Sequence, residues 1–442
     1  MKGQFYNKNE TSYTSLLIKN ARIFCPEQNI DIANGYVATK NGLIESIGKG
    51  SCQQESLYEK VIDTKGLFLT AGFIDIQVHF RDPGQTHKED IISGSKAAVS
   101  GGVTCVVCQP NTAPTIDNLY VLDYLKYKAA AESYCDIKVY ASVTKNLAGL
   151  EICDLETLCK HELVVGFTDD GLPVNNPQIM RLAFEASAKH GFIVAQHAED
   201  HALSNKGAIN EGDVSKKLEV RGIPNSSESS IVARDIEILR ETGGHYHVLH
   251  LSCRESLELV KKAKMDGLNI TCEASPHHLL LTDETVLQHG ANAKMNPPIR
   301  SQADKLALIQ GLKDGYIDAI ATDHAPHDAA SKNKHLHDAT FGIIGLESMF
   351  AGSMQLHYQY GVELKTIISA LTHKPAKVIG LKNVGSLKVG YKANFTLSNL
   401  NEEWTFDEQN IHSKCQNSPF FGTKFKGKVK TTIIDGKIVF SE

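Results

Sequence analysis

One stretch of the sequence places side chains suited to metal and anion binding directly after a predicted strand. Residues 71–78 are largely apolar, and His79, Arg81 and Asp82 follow them before a Pro-Gly turn. Imidazole is a good zinc ligand, and guanidinium holds a carboxylate through two parallel hydrogen bonds. The spacing therefore indicates a site where a metal and an anionic substrate meet. A strand end that merely reaches the surface is the alternative.

Similar side chains follow the later predicted strands. A lone histidine is more often a hydrogen-bonded residue than a ligand, but imidazoles and carboxylates that converge from several strands can hold one or two divalent metals. A carboxylate can bridge two metals, whereas Asp169 of the Asp-Asp-Gly run could instead only form a turn. The residues concerned are Asn111, Asp169, Asp170, His197, His250, His277, His278, Asp323, His324 and His327.

Short apolar strands that alternate with amphipathic helical stretches would carry these residues. In one of the helical stretches, Ser252 and Glu255 predict a capping box. Such alternation indicates an α/β fold, and eight units over about 300 residues predict a closed (β/α)8 TIM-like barrel with the site at one rim. An open doubly wound sheet is the alternative, but no Gly-rich phosphate loop follows the first strand. We place the strands at residues 73–79, 104–108, 137–142, 163–167, 192–196, 246–250, 269–273 and 319–322.

The two chain ends show a different pattern, with β-hairpins closed by Asn41-Gly42 and Asp435-Gly436. Each end is too short to bury a core alone, so we expect both to pack into one small discontinuous β-sandwich domain. The predicted division is 1–68 and 379–442 for this domain and 69–378 for the barrel.

Composition excludes several classes of partner. A formal charge of -5 and a sequence pI near 6.4 leave no basic excess for nucleic acid. Residues 1–14 are polar and lack the apolar core of a signal peptide, and no stretch has the length of a membrane span. We therefore expect a cytoplasmic protein whose ten cysteines are reduced and mostly buried.

Taken in order, these motifs resemble those of the dihydroorotase family, specifically its type I branch within the cyclic amidohydrolases of the amidohydrolase superfamily. The resemblance spans nearly the whole chain. The fourth strand ends in Asp-Asp-Gly, where hydantoinases place a carboxylated lysine. The matching segments are 75–84 (DIQVHFRDPG), 101–104 (GGVT), 109–112 (QPNT), 167–171 (FTDDG), 196–200 (QHAED), 247–252 (HVLHLS), 276–279 (PHHL), 296–300 (NPPIR) and 321–327 (ATDHAPH).

The resemblance implies a zinc-dependent hydrolase of cyclic amides. It makes Asp170, the second carboxylate of its run, a bridge between two zinc sites. His79 and Asp323 would complete one site, and His197 and His250 the other. Asp323 would also move the proton in the reversible interconversion of N-carbamoyl-L-aspartate and L-dihydroorotate, a step of pyrimidine synthesis.

The same resemblance assigns the substrate contacts. Three residues would hold the substrate carboxylate, and an amide and a backbone segment would contact the ring. These are Arg81, Asn111 and His327 for the carboxylate, and Asn296, Phe341 and Gly342 for the ring. The other histidines are interpreted as structural or supporting (His277, His278) or as loop residues (His324, His335, His337).

One residue departs from the family pattern. Most relatives have histidine where this chain has Gln77, two residues before His79. An amide oxygen is a poor exchange for imidazole on zinc, so we expect Gln77 to be at most a weak ligand. The sequence therefore predicts one tight zinc site and a second, weaker one.

Two rival interpretations remain at this point. Another cyclic amidohydrolase, of the hydantoinase or allantoinase type, would share the barrel and metals but should carry the lysine after strand four. A non-catalytic partner of aspartate transcarbamoylase should have lost Asp323 or the carboxylate-binding residues. We expect a small-molecule enzyme that forms a homo-oligomer, most simply a dimer, and leave an association with aspartate transcarbamoylase open.

Overall fold

The computed structural model describes residues 3–7 and 13–442, and its strands form two large sheets and one short one. The strands are β1 (Gln4–Phe5), β2 (Ser15–Cys25), β3 (Ile30–Lys40), β4 (Leu43–Lys49), β5 (Lys60–Asp63), β6 (Phe68–Ala71), β7 (Phe73–Val78), β8 (Val103–Cys108), β9 (Asp136–Ala141), β10 (Val164–Phe167), β11 (Ile193–Gln196), β12 (Ile209–Asn210), β13 (Gly222–Ile223), β14 (Tyr246–Val248), β15 (Ile270–Ala274), β16 (Ala319–Ile320), β17 (Phe395–Thr405), β18 (Lys424–Ile434) and β19 (Lys437–Ser441).

The helices lie mainly between the barrel strands. They are α1 (Ile91–Ser100), α2 (Leu119–Glu132), α3 (Leu155–Leu158), α4 (Pro177–His190), α5 (His201–Ser204), α6 (Asp213–Lys217), α7 (Asn225–Thr242), α8 (Arg254–Met265), α9 (Pro276–Leu280), α10 (Val286–His289), α11 (Gln302–Lys313), α12 (Ala329–Lys332), α13 (Met349–Tyr360), α14 (Leu364–Leu371) and α15 (His373–Val378). Short 3-10 turns span Pro26–Gln28, Glu55–Leu57, Lys145–Leu147, Asp283–Thr285, Gly290–Ala293 and Glu408–Asn410. Within the described part of the chain, we find no helix long and apolar enough to cross a membrane.

The predicted barrel is confirmed. Its eight strands lie in the order β7-β8-β9-β10-β11-β14-β15-β16, and every neighbouring pair is parallel. A bridge between Val78 and His324 joins the last strand to the first, with the His79 N–H donating to the His324 carbonyl at 2.8 Å. Each predicted strand agrees with the observed one to within two residues at either end. The carboxyl ends of the strands therefore open onto one rim.

The chain ends combine in one sheet, as predicted. Its order is β1-β19-β18-β17-β6-β2-β3-β4, with β5 beside β2, so carboxyl-terminal strands pair with amino-terminal ones at β17 and β6. Both hairpin dipeptides have positive φ at each residue, 50° and 78° at Asn41 and Gly42 and 51° and 72° at Asp435 and Gly436. Positive φ at both turn positions matches the right-handed twist of the flanking strands.

Local irregularities lie where the strands reach the rim. The register of β7 shifts between Asp75 and Val78, directly before His79. Arg81, His250 and Asp323 have φ of 59°, 32° and 49°, a left-handed conformation that is uncommon for residues other than glycine. Such backbone strain concentrates at functional sites.

Candidate active site

A buried cluster at the rim unites three side chains from different strands. Asp170 follows β10, His197 follows β11 and His250 follows β14. Asp170 Oδ1 lies 3.4 Å from His197 Nδ1 and 3.3 Å from His250 Nε2, and the two ring nitrogens are 2.9 Å apart. A carboxylate oxygen and two imidazole nitrogens aimed at one point form a donor set suited to a divalent cation.

The other oxygen of Asp170 faces a second group of predicted ligands. His79 Nε2 lies 3.3 Å from Asp170 Oδ2 and 3.1 Å from Asp323 Oδ1. Asp170 Oδ2 is buried and has no hydrogen-bond partner among the described residues. The two oxygens of Asp170 therefore face different imidazoles, which is the arrangement that a bridging carboxylate requires.

Neighbouring side chains orient the imidazoles. Asn111 Oδ1 accepts a hydrogen bond from His79 Nδ1 at 2.9 Å, so Nε2 is the nitrogen that faces the carboxylates. Glu199 Oε2 lies 3.1 Å from His197 Nε2, which leaves His197 Nδ1 toward Asp170. A ligand whose other ring nitrogen is hydrogen-bonded has a defined tautomer and orientation.

The electrostatics of the cluster favour positive charge between its carboxylates. Burial alone would raise the pKa of Asp170, but hydrogen bonds from His197 and His250 and the nearby His79 hold it well below its ordinary value. Burial opposes a charged His197, yet Asp170 and Glu199 raise the pKa of that ring to about 10. The pKa of Glu199 is lowered, because the effect of His197 outweighs burial. These groups stabilise positive charge between them, and a metal ion supplies such charge.

The second part of the site pairs the guanidinium of Arg81 with the imidazole of His327. Arg81 Nη2 donates to His327 Nε2 at 3.2 Å, so the His327 proton is on Nδ1. Burial, together with Arg81, Lys88 and Lys332, lowers the pKa of His327 to about 2 and keeps the ring neutral. Burial also lowers the pKa of Arg81, to about 10. Arg81 Nε and His327 Nδ1 are buried and have no hydrogen-bond partner among the described residues.

A cavity of about 330 Å³ joins the two parts. All predicted substrate contacts line it, and besides the hydrogen bonds of Asn111, Arg81 and His327 given above, two more of these residues are engaged within the protein. Asn296 Nδ2 donates to Glu199 Oε2 at 2.9 Å. The Gly342 N–H donates to the Lys294 carbonyl at 3.0 Å. The lining residues are His79, Arg81, Asn111, Asp170, Gly171, His197, Met295, Asn296, Asp323, Ala325, His327, Thr340, Phe341 and Gly342.

Gln77 is not joined to the cluster. Its side chain is fully buried, and neither its amide nitrogen nor its amide oxygen has a hydrogen-bond partner among the described residues. An unsatisfied buried amide costs free energy and calls for an explanation such as a bound ion or water.

The remaining histidines are separate from the metal donors. Burial lowers the pKa of His277 and His278, which keeps both rings neutral, and His278 Nε2 donates to the Pro297 carbonyl at 3.0 Å. His324 differs from the predicted loop residue because its ring is fully buried and contacts Glu89 at 3.3 Å. His335 and His337 lie on an exposed loop.

Sequence reasoning missed Glu199, although the signal was present. Glu199 stands two residues after His197, and such a pair at a strand end can turn toward the same site. The carboxylate of Asp169, by contrast, is engaged away from the cluster, since it accepts from the Thr144 N–H at 2.9 Å and from the Thr144 hydroxyl, and the Asp169 carbonyl accepts from the Leu172 N–H at 2.8 Å in a local turn.

Comparison with known proteins places the chain among metal-dependent hydrolases. Residues 68–439 match the family described as "Amidohydrolase family". A dihydroorotase of Wolbachia sp. subsp. Drosophila simulans is 48% identical over 96% of this chain and 95% of its own length. A dihydroorotase of Aquifex aeolicus is 42% identical over 97% of this chain and 99% of its own length.

Solved structures share the fold. L-hydantoinase from Arthrobacter aurescens superposes with a TM-score of 0.86 over 96% of both chains, at 23% identity. D-hydantoinase from Thermus sp. gives a TM-score of 0.78 at 25% identity, over 96% of this chain and 94% of its own. At such identities the likeness concerns the barrel and the additional sheet.

Proposed function

Because the chain belongs to the amidohydrolase family, with dihydroorotases among its full-length relatives, we propose that it interconverts N-carbamoyl-L-aspartate and L-dihydroorotate. It is a metal-dependent cyclic amide hydrolase. The cyclisation is a step of de novo pyrimidine synthesis, which ends in UMP.

One observation carries the proposal. A single cavity is lined at one part by the Asp170 and His197 cluster and at another by Arg81 and His327, whose Nε and Nδ1 donors have no partner among the described residues. Two donors without partners on residues that line the cavity fit a carboxylate, and the metal donors fit the amide that opens or closes. Both product and substrate combine a carboxylate with such an amide.

We assign the metal donors as two zinc sites that share Asp170. His197 and His250 would hold the tighter ion, and His79 and Asp323 the weaker one. Zinc held there would supply two effects, a lower pKa for a bound water, toward ~7, and polarisation of a carbonyl. The unequal affinity follows from Gln77, whose neutral amide is a poorer zinc donor than imidazole.

The chain's own residues would divide the remaining work. Asp323 accepts a proton from the attacking water and passes it to the ring nitrogen, and the reverse transfer accompanies ring closure. Arg81, His327 and the Asn111 amide nitrogen bind the carboxylate. Asn296 would have a second role besides its place in the cavity wall. Its side chain donates to Glu199, which contacts His197, so it would help to orient that ring.

An assay on alternative ring substrates tests the proposal. The purified protein should open L-dihydroorotate and close N-carbamoyl-L-aspartate, with zinc bound in proportion to activity. Turnover of hydantoin or allantoin without turnover of dihydroorotate would instead favour a hydantoinase or allantoinase. Inactivity on all of them at full zinc content would favour a non-catalytic partner of aspartate transcarbamoylase. The dimer, the transcarbamoylase association and the cytoplasmic location stay predictions.

A further inference from the structure

Gly342 has an unusually constrained position in the wall of the cavity. Its φ is 150°, and a Cβ added there would lie 2.5 Å from the Ala325 carbonyl and 2.6 Å from His327 Cδ2. Its carbonyl accepts two hydrogen bonds, from Asn417 Nδ2 and from Lys332 Nζ, each at 2.9 Å. Because its N–H is also bonded, Gly342 shapes the cavity by its position, and its polar backbone atoms are committed elsewhere.

Asn417 connects this wall to the anion-binding residues. Its Oδ1 accepts from the His327 N–H at 3.0 Å, and its Nδ2 donates to the Ala325 carbonyl at 3.0 Å in addition to Gly342. The side chain is buried, with 3% of its surface exposed. One amide therefore holds the backbone of His327 and the backbone of Gly342 at a fixed separation.

Two buried lysines, Lys294 and Lys332, bind backbone carbonyls of the loop at residues 333–342. Lys332 Nζ donates to the Thr340 carbonyl at 2.9 Å as well as to Gly342. Lys294 Nζ donates to the Leu336 and Ala339 carbonyls at 2.6 Å each and lies 4.3 Å from the centre of the Phe341 ring. Each buried Nζ atom donates to more than one backbone carbonyl, so together they fix the course of this loop.

Asn417 belongs to the connection between β17 and β18, two strands of the sheet formed by the chain ends. This connection is itself tied to the barrel. Glu347 Oε1 accepts from the His412 and Ser413 N–H groups at 3.0 Å each, and Glu89 accepts from the Ser413 hydroxyl. The segment that carries Asn417 is therefore attached to the barrel a few residues before it.

We propose that Asn417 and Lys332 are positioning residues for the substrate, which hold His327 and the Phe341-Gly342 wall in the geometry that receives its carboxylate and ring. The connection between β17 and β18 is then part of the substrate site. This inference rests on the proposed function. Residues that only stabilised the fold would leave KM unchanged in the folded protein, whereas residues that position the carboxylate-binding group should raise KM when they are substituted.

Asn417→Asp tests the amide donor of Asn417 most directly. It preserves shape and the acceptor for the His327 N–H, but it turns an oxygen toward the two carbonyls that Asn417 Nδ2 now binds. We expect KM for N-carbamoyl-L-aspartate to rise about tenfold or more, with kcat within about threefold of wild type and zinc content unchanged. Unchanged KM in folded, zinc-replete protein would overturn the proposal.

Lys332→Met provides a second variant in case Asn417→Asp does not fold. Lys334 lies exposed on the same loop and supplies the matched control, Lys334→Met, for which we expect wild-type KM and kcat. Trypsin cleavage after Lys334 should be faster in Lys332→Met than in wild type if the loop has lost its anchor. Equal cleavage and equal KM would contradict the inference. If wild-type protein does not act on carbamoyl aspartate at all, the proposed function fails, and the cleavage rates still decide whether Lys332 anchors the loop.

Discussion

At the scale of single residues, the two carboxylates that contact the His79 ring, those of Asp170 and Asp323, differ in their surroundings. Asp170 directs Oδ1 toward His197 and His250 and Oδ2 toward His79. Asp323 follows β16, the last barrel strand, and contacts His79, which follows the first, β7. Asp323 lines the cavity, where the proposed mechanism requires a proton carrier between the attacking water and the ring nitrogen. This location favours Asp323 for proton transfer.

Asp323→Asn tests that assignment, because the amide keeps the shape of the side chain but cannot carry the proton. We expect turnover to fall by at least about 10²-fold in both directions, since general acid-base catalysis is typically worth that much. Circular dichroism and thermal melting should show an intact fold. A variant that kept roughly a tenth of wild-type activity would exclude the proton-transfer role.

Arg81→Lys tests the carboxylate contact. Lysine keeps the charge but lacks the planar fork, and it loses the guanidinium donors that face His327 and the cavity. We expect KM for dihydroorotate to rise about tenfold while kcat changes less. If steady-state kinetics show the wild-type KM and kcat, Arg81 does not bind the carboxylate.

Because Gln77 stands where most relatives have histidine, we expect the two metal sites to differ in affinity. The zinc held by His79 and Asp323 should leave first during a chelator titration, and the zinc at Asp170, His197 and His250 should leave later. Metal content measured alongside activity follows both steps, and Gln77→His should tighten the weaker site because imidazole is the better donor. Simultaneous loss of both ions, with no tightening in Gln77→His, would refute this account of the substitution.

At the scale of elements, the strands could be predicted because buried parallel strands are short apolar runs. The capping box at Ser252 and Glu255 was wrong. The helix begins after Cys253 without a side-chain cap, and the Ser252 N–H and hydroxyl both bond to Glu228 on another helix. A contact between distant segments overrode the local pattern, and local patterns give no sign of it.

Asn417 was missed for the same reason, since its partners lie 75 to 92 residues away.

Helix α12 ends at Lys332, whose burial has a consequence for stability. Burial, and secondarily Lys294, lowers the pKa of Lys332 to about 7 from 10.5. Between these values the unfolded chain binds more protons at this residue than the folded chain, so the free energy of unfolding should rise with pH. Lys332→Met lacks this titration.

Urea unfolding of the two proteins at several values between about pH 7 and pH 10 checks the sign. The stability of wild type relative to Lys332→Met should increase across the range. Parallel pH profiles would mean that Lys332 keeps an ordinary pKa in the folded protein. Lys334→Met, with its exposed ammonium group, should follow wild type throughout.

At the scale of the whole molecule, the two chain ends contribute more than a separate sheet. Their strands pair with each other, and the connection between β17 and β18 returns to the barrel, where Asn417 contacts the cavity wall. Hairpin dipeptides at both ends predicted the shared sheet, but nothing in composition marked this connection as part of the site. The division of the chain at residues 68 and 379 stays a prediction.

The distribution of the metal donors around the barrel couples metal binding to global stability. The predicted ligands follow β7, β10, β11, β14 and the last strand, β16, so all five converge only in the folded barrel, where β16 lies beside β7 and the donors of the tighter site follow three neighbouring strands. An ion that binds the folded state alone stabilises it by about 2.7 kcal/mol at a concentration 100-fold above its dissociation constant. We therefore expect chelation to lower the thermal midpoint by several degrees and added zinc to restore it. His250→Asn, which removes one donor of the tighter site, should show a much smaller shift. Equal midpoints with and without zinc, in protein shown to bind it, would mean that the ion has the same affinity for the folded and the unfolded chain.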